Sequence, residues 1–213
     1  MKEKIKIYSL IFIGILYTYI LYQSYHYDNI FQIFFYVILG GIGLYILYNS
    51  IFNEIEKYKK SKKLKSFLIT FIGIFFILLN LGIYIYYELK INYPILLEAK
   101  MHGVYFHFNK NGEYFIRSGG YGDSKVFYGK YTIKDSLITL DKKYFDDILV
   151  TKHYVIRNII NAQGYDNSGE NKKYLIQIDK NGLEINNNII IEFNPERHIH
   201  RSYKFEITED NRK

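Results

Sequence analysis

The chain contains no cysteine. That absence excludes disulfides, zinc–thiolate centres and thiol nucleophiles together, and is compatible with either side of a membrane. Tryptophan is missing too, and the two prolines, Pro94 and Pro195, fall outside the segments that read as strands. No nucleophile elbow, Walker loop or H-E-x-x-H helix occurs. Asp146 and Asp147 are neighbours, but adjacent residues on a strand face opposite ways and do not share a proton as a catalytic pair. The sequence therefore reads as non-enzymatic, without catalytic residues or cofactor.

Charge is what three long stretches lack. IYSLIFIGILYTYILY (7–22), IFQIFFYVILGGIGLYILYNSIF (30–52) and SFLITFIGIFFILLNLGIYIYY (66–87) carry no charged side chain. A helix of about 22 residues reaches about 33 Å, enough for a hydrocarbon core of roughly 30 Å. Three transmembrane helices are predicted, near 5–25, 30–52 and 66–87, within a membrane domain spanning 1–90. The first run ends in Tyr17, Tyr19 and Tyr22 rather than small residues, which fits a retained span better than a cleaved signal.

The lysines give the spans a direction. Residues 1–87 hold nine lysines against four acids, and six of those lysines (Lys57, Lys59, Lys60, Lys62, Lys63 and Lys65) crowd between the second and third runs. Lys2, Lys4 and Lys6 precede the first run, whereas QSYHYDN after it contains no lysine. The positive-inside rule places the amino terminus and the lysine-rich connection in the cytoplasm. An odd number of crossings then carries the remainder outside the plasma membrane of a bacterial envelope. The same lysines attract anionic membrane lipid. Residues 88–213 balance nineteen basic against seventeen acidic residues, so no basic face argues for a nucleic-acid polymer as partner. Gly40, Gly41 and Gly43 form a thin patch for close helix packing or self-association, and Asn80 is a polar group seeking a partner on a neighbouring helix.

From His102 the apolar period changes to two. VYFHF, KYLIQI and SYKFEI alternate apolar with polar residues, as strands with one buried face do. Asn109-Lys110-Asn111-Gly112 and Asp179-Lys180-Asn181-Gly182 supply hairpin turns. Further strands are predicted at Val126–Ile133, Ser136–Leu140, Ile148–Arg157 and Ile189–Phe193. Residues 91–213 thus read as an all-β antiparallel barrel or sandwich of about eight strands, following three transmembrane helices.

The run KNGEYFIRSGGYGDSKVFYGKYTIKDSLITLD (110–141) resembles small lipocalin-like (calycin-type) domains, where an Asn/Asp-Gly-x-Tyr strand leads to a Gly-Lys/Thr-Tyr strand and an Asp-Ser-x-Ile-x-Leu strand. The resemblance implies a small β barrel. A membrane anchor followed by such a barrel also resembles the membrane effectors of bacterial cyclic-oligonucleotide antiphage signalling. That second likeness implies a cytoplasmic barrel sensing a cyclic oligonucleotide, with spans that then disrupt the membrane; those effectors have two spans.

Within the β region, SGGYGD (118–123) is followed by a strand, so it is a hairpin loop rather than a phosphate cradle. His198 and His200 share a strand face with Glu196 in reach, a zinc-like donor set, but His102, His107 and His153 are scattered and no spacing fixes a third ligand, so no metal is assigned. Arg117, Lys125, Lys130 and Arg157, with Lys172 and Lys173 nearby, are candidates for a cationic ligand-binding rim. The leading expectation is an extracytoplasmic barrel that binds a small ligand, an envelope component or a protein, in one version protecting against a toxin.

Overall fold

A computed structural model describes residues 2–101, 103–120, 123–142, 149–159, 172–185, 187–190, 198–201 and 204–212. The chain divides into two compact units, a helical one ending at Ile91 and a β unit beginning at Asn92.

The helical unit comprises α1 (Lys2–Ser24), α2 (Gln32–Ser61) and α3 (Leu68–Ile91), with a short strand β1 (Tyr27–Asn29) in the first connection and a 3-10 turn (Leu64–Phe67) in the second. By length and composition all three helices are sufficient to cross a membrane. Their outer faces expose Phe12, Phe34, Val37, Tyr45, Phe75 and Leu78, as a hydrocarbon surrounding requires. These features mark a membrane protein.

Helix α2 runs nine residues past Phe52, so nine of the thirteen residues in the lysine-rich connection are helical. Asn53–Ser61 is rich in Glu and Lys, which favour helix, and Lys59 and Lys60 oppose the partial negative charge of the last turn. Lys62 stops the helix in a left-handed conformation, φ 53°, its N–H donating to the Tyr58 carbonyl at 2.7 Å. Lys57 pairs with Glu3, which puts the start of α1 and the end of α2 at one end of the unit.

Two glycines set the helix separations. A Cβ on Gly14 would lie 2.5 Å from the Phe76 ring, and one on Gly73 would lie 2.5 Å from Leu47 Cδ1. Both sit in the same tetrapeptide, Phe-Ile-Gly-Ile, at 12–15 and 71–74. At the lysine end, the buried Glu54 of α2 reaches across to the first turn of α3. Its carboxylate accepts from Ile69 N (2.7 Å), Thr70 N (3.1 Å) and Thr70 Oγ1 (2.6 Å). Those amides have no partner inside their own helix, so α2 supplies the cap that the sequence of α3 lacks.

The β unit contains β2 (Ile95–Met101), β3 (Val104–Asn109), β4 (Glu113–Gly120), β5 (Asp123–Lys134), β6 (Leu137–Leu140), β7 (His153–Ile159), β8 (Lys172–Ile178), β9 (Asn187–Ile190), β10 (His198–Arg201) and β11 (Lys204–Asp210). Eight of them follow the order β5-β4-β3-β2-β11-β8-β7-β6, and pairing of β6 with β5 closes an antiparallel barrel. β9 and β10 form a separate two-stranded ribbon. Closure leaves these eight strands without a free edge.

The barrel is the all-β domain that the alternating pattern predicts. Both Asn-Gly turns are present: Gly112 and Gly182 have φ of 82° and 83°, a region glycine enters without strain. Asp179 fixes the second turn by accepting from Leu183 N (2.9 Å) and Asn181 N (2.8 Å), bonds that hold its carboxyl below the usual range. β2 precedes the first strand predicted. Only Leu97 and Ala99 mark its buried face, too short an alternation to stand out next to Pro94.

Candidate functional site

Alternation on each strand decides which side chains fill the barrel and which form its wall. Inside, Phe106 lies at the centre, 4.7 Å from Phe205, 5.3 Å from Tyr154 and 5.9 Å from Phe108 between ring centroids. Phe108 continues to Tyr131 at 5.0 Å, and Leu97, Ile116, Ile138, Leu149 and Leu175 are fully buried around these rings. Edge-to-face aromatic pairs at these separations add to the burial itself. The polar ends are tied off: Tyr131 Oη donates to Asn109 O at 2.8 Å, and Tyr114 Oη to Asp141 Oδ1 at 2.9 Å. Burial, then the Asp141 carboxylate, pushes the Tyr114 phenol well above its ordinary range. Gln177, also buried, accepts from Val150 N at 3.0 Å and anchors the chain entering β7. The centre of this barrel is occupied by its own rings.

The wall is where chemistry remains accessible. Directly opposed residues of an antiparallel pair share a face. The registers therefore link Arg157, Tyr174, Glu206, Lys100, Tyr105 and Arg117 into one row across β7, β8, β11, β2, β3 and β4. A second row runs Glu209, Glu98, His107 and Phe115, and ends against Tyr128 of β5. The His107 ring stacks on Phe115 with centroids 4.3 Å apart and planes 13° apart; Phe115 and Tyr128 are 6.3 Å apart. Tyr105, at 40 % exposure, borders this aromatic strip with Arg117. His107 Nδ1 is 3.5 Å from Glu98 Oε2. Burial lowers the His107 pKa, Glu98 opposes that shift, and Arg117 reinforces it.

The four cations proposed as a ligand rim, Arg117, Lys125, Lys130 and Arg157, are all exposed. Arg117 and Arg157 occupy the same row but are five strand spacings apart one way and three the other. At about 4.8 Å per spacing, the shorter path is about 14 Å. The fold thus puts them on different flanks of the barrel. Arg157 donates to Glu184 at 2.5 Å, Lys172 pairs with Glu206 at 3.1 Å and Lys173 with Asp210 at 2.8 Å. Arg212 and Lys173 together hold the Asp210 carboxyl far below the usual range, the Arg212 bonds contributing most.

In the helical unit, Gly40 and Gly43 line a cavity between the three helices, whereas a Cβ on Gly41 would meet nothing within 4 Å. Asn80 bonds its own helix, donating from Nδ2 to Phe76 O at 2.7 Å, because the carbonyl four residues back is the nearest acceptor. Lys57, Lys59, Lys60, Lys62, Lys63 and Lys65 are all exposed. His198 and His200 occupy β10 opposite Ile190 and Asn188. His102, Asp146, Asp147, Glu196 and the loop residues Tyr121 and Gly122 lie outside the described residues. Among the described residues no three His, Asp or Glu side chains group as metal ligands.

Sequence reasoning missed Glu54 and the strip of His107, Phe115 and Tyr128. Glu54 is the first acid after an uncharged run, a position that reads as a helix end until the helix is seen to continue. The strip needed the β3–β4–β5 register, which no local pattern contains. No family model, curated protein or solved structure matches this chain.

Proposed function

We propose that this is a non-enzymatic plasma-membrane protein that holds its β barrel outside the cytoplasm and recognises a partner through the barrel's outer wall. The observation that carries the reading is the filled interior. With Phe106, Phe108, Tyr154 and Phe205 packed at the centre, the wall is the place left for recognition. The strip of His107, Phe115 and Tyr128, with Tyr105 and Arg117 beside it, has the aromatic and arginine composition favoured at protein interfaces. A protein or envelope component therefore suits this barrel better than a small molecule enclosed in the lipocalin manner. Protection against an envelope-directed toxin is one form of such recognition.

The orientation rests on the lysines. Lys2, Lys4 and Lys6 begin α1, and Lys57, Lys59 and Lys60 end α2, at the same end of the helical unit. Positive charge there favours the cytoplasm, and three crossings take residue 92 onward to the far side. The test fuses to the carboxyl terminus of the full chain a phosphatase active only outside the cytoplasm and, separately, a fluorescent protein that matures only inside. Phosphatase activity without fluorescence is the expected result. The opposite pair of readouts overturns the reading and favours a cytoplasmic sensor of cyclic oligonucleotides.

A further inference from the structure

At the lysine end of the helical unit, a half-open hollow of about 380 Å³ lies between α1 and α2, within the ~300–1,000 Å³ range of small-molecule sites. Its lining includes the buried Ser50, Glu54 and Ile69. The hollow straddles the ends of the uncharged runs: Lys6 immediately precedes the first, and Asn53 immediately follows the second. In a bilayer that is the level where hydrocarbon gives way to phospholipid headgroups. Three lysines and three glutamates line it, and half of that charge is already committed. Lys57 is paired with Glu3, and the Glu54 carboxylate accepts its three bonds from the start of α3. Lys6, Lys60 and Glu56 remain, and among the described residues none of these has an ion-pair partner. Glu56 and Lys60 stand one turn apart on α2, with about 5–6 Å between Cβ atoms, and Lys6 lines the same hollow from α1.

We propose that this hollow is a binding site for a zwitterionic phospholipid headgroup, a phosphodiester joined by a short link to a primary ammonium, as in phosphatidylethanolamine. Lys6 and Lys60 hold the phosphate from two helices, and Glu56 takes the ammonium. Unpaired charge of both signs argues for a zwitterion over an anionic lipid. A headgroup with a phosphate alone satisfies the lysines but brings negative charge up to Glu56 with nothing to balance it. The ammonium acts as a donor as well as a charge, since its N–H groups bond a carboxylate and a trimethylated ammonium has none to offer. The position at the hydrocarbon boundary argues for a lipid, because the acyl chains stay in the bilayer while the headgroup enters the hollow. Basic pockets between spans hold lipid headgroups in this manner. The site requires the three helices to cross a bilayer, but depends neither on which side the barrel occupies nor on recognition by its wall.

The test places the full chain in nanodiscs of phosphatidylethanolamine, phosphatidylglycerol and phosphatidylcholine in equal amounts, releases it in a mass spectrometer and counts the lipids that stay bound. Retention of phosphatidylethanolamine is expected, about tenfold over either competitor, in keeping with one charge-assisted hydrogen bond. Lys6→Met with Lys60→Met should abolish that retention, Glu56→Gln should bring phosphatidylethanolamine down to the level of phosphatidylglycerol, and Lys63→Met, outside the hollow, should change nothing. Equal retention of the three lipids by the unaltered protein, or retention of none, overturns the proposal without reference to any variant. Undiminished retention by a folded Lys6→Met, Lys60→Met chain overturns the location, and an undiminished preference in a folded Glu56→Gln chain overturns the role of the ammonium. Water-soluble glycerophosphoethanolamine should fail to displace the lipid at equal concentration; displacement overturns the lipid as occupant in favour of a soluble phosphate ester.

Discussion

Replacing Glu54 with alanine tests how the helical unit is held together. The carboxylate is 3 % exposed and accepts three hydrogen bonds at the start of α3, two from backbone amides and one from Thr70 Oγ1. Loss of an ordinary N-cap costs about 0.5–2 kcal/mol. Hydrogen bonds to a charged acceptor contribute about 1.5–3 kcal/mol each, but three on one group do not add fully. A loss of about 3 kcal/mol is therefore expected for Glu54→Ala. Glu54→Gln keeps one acceptor oxygen and should lose about half as much. Thr70→Val should lose about 1 kcal/mol alone and little more when Glu54 is already alanine, since both changes remove the same bond. Stability would be measured by titrating the detergent-solubilised full chain from mild detergent into dodecyl sulfate and following helix content. Hydrogen exchange should quicken first at the Ile69 and Thr70 amides. If both Glu54 variants fall within about 0.5 kcal/mol of the parent, the interhelical cap does not stabilise the unit and the reasoning fails.

Three further expectations follow from individual contacts. Gly14→Ala should destabilise the helices by about 1–3 kcal/mol in the same titration, because its methyl meets the Phe76 ring, whereas Gly41→Ala, facing open space, should be neutral or gain up to about 1 kcal/mol. Gly129→Ala should cost about 2 kcal/mol in thermal or denaturant unfolding of the β unit, since a Cβ there collides with Asp141 Oδ1 and lies 2.5 Å from Tyr114 Oη, breaking the bond between them. Burial lowers the His107 pKa, so the unfolded chain takes up a proton there first; stability should fall as pH drops below about 6.5, the unfolded imidazole's range, and His107→Gln should flatten that slope.

The sequence displays what depends on local period and hides what depends on register. Uncharged runs located α1, α2 and α3, because a membrane span is a property of consecutive residues. Alternation located most barrel strands, and Asn-Gly turns fixed where two of them reverse. Strand β2 escaped because its buried face contributes only Leu97 and Ala99. The glycines that matter most for helix approach are Gly14, alone in its span, and Gly73, which shares its span only with the openly placed Gly82, while the conspicuous cluster at Gly40, Gly41 and Gly43 borders the cavity or faces outward. The repeated Phe-Ile-Gly-Ile is the one local signal that could have singled them out. Arg117 and Arg157 looked alike as cations on alternating strands, and only the strand order separates them.

That separation gives the two flanks of the barrel different capacities. Around β7, β8 and β11 the wall charges are matched within the chain: Arg157 with Glu184, Lys172 with Glu206, and Lys173 and Arg212 with Asp210. Exposed pairs of this kind contribute little to stability, but a partner docking there would have to strip water from both signs of charge at once. Around β3, β4 and β5 the wall instead presents His107 stacked on Phe115 with Tyr128 tilted beside it, rings whose apolar faces gain from being covered and whose geometry is already fixed by cross-strand contact. On the proposed reading, recognition by a barrel with a filled centre is favoured on the β3–β5 flank. Arg117 belongs to that flank and Arg157 does not, although the two residues occupy the same row.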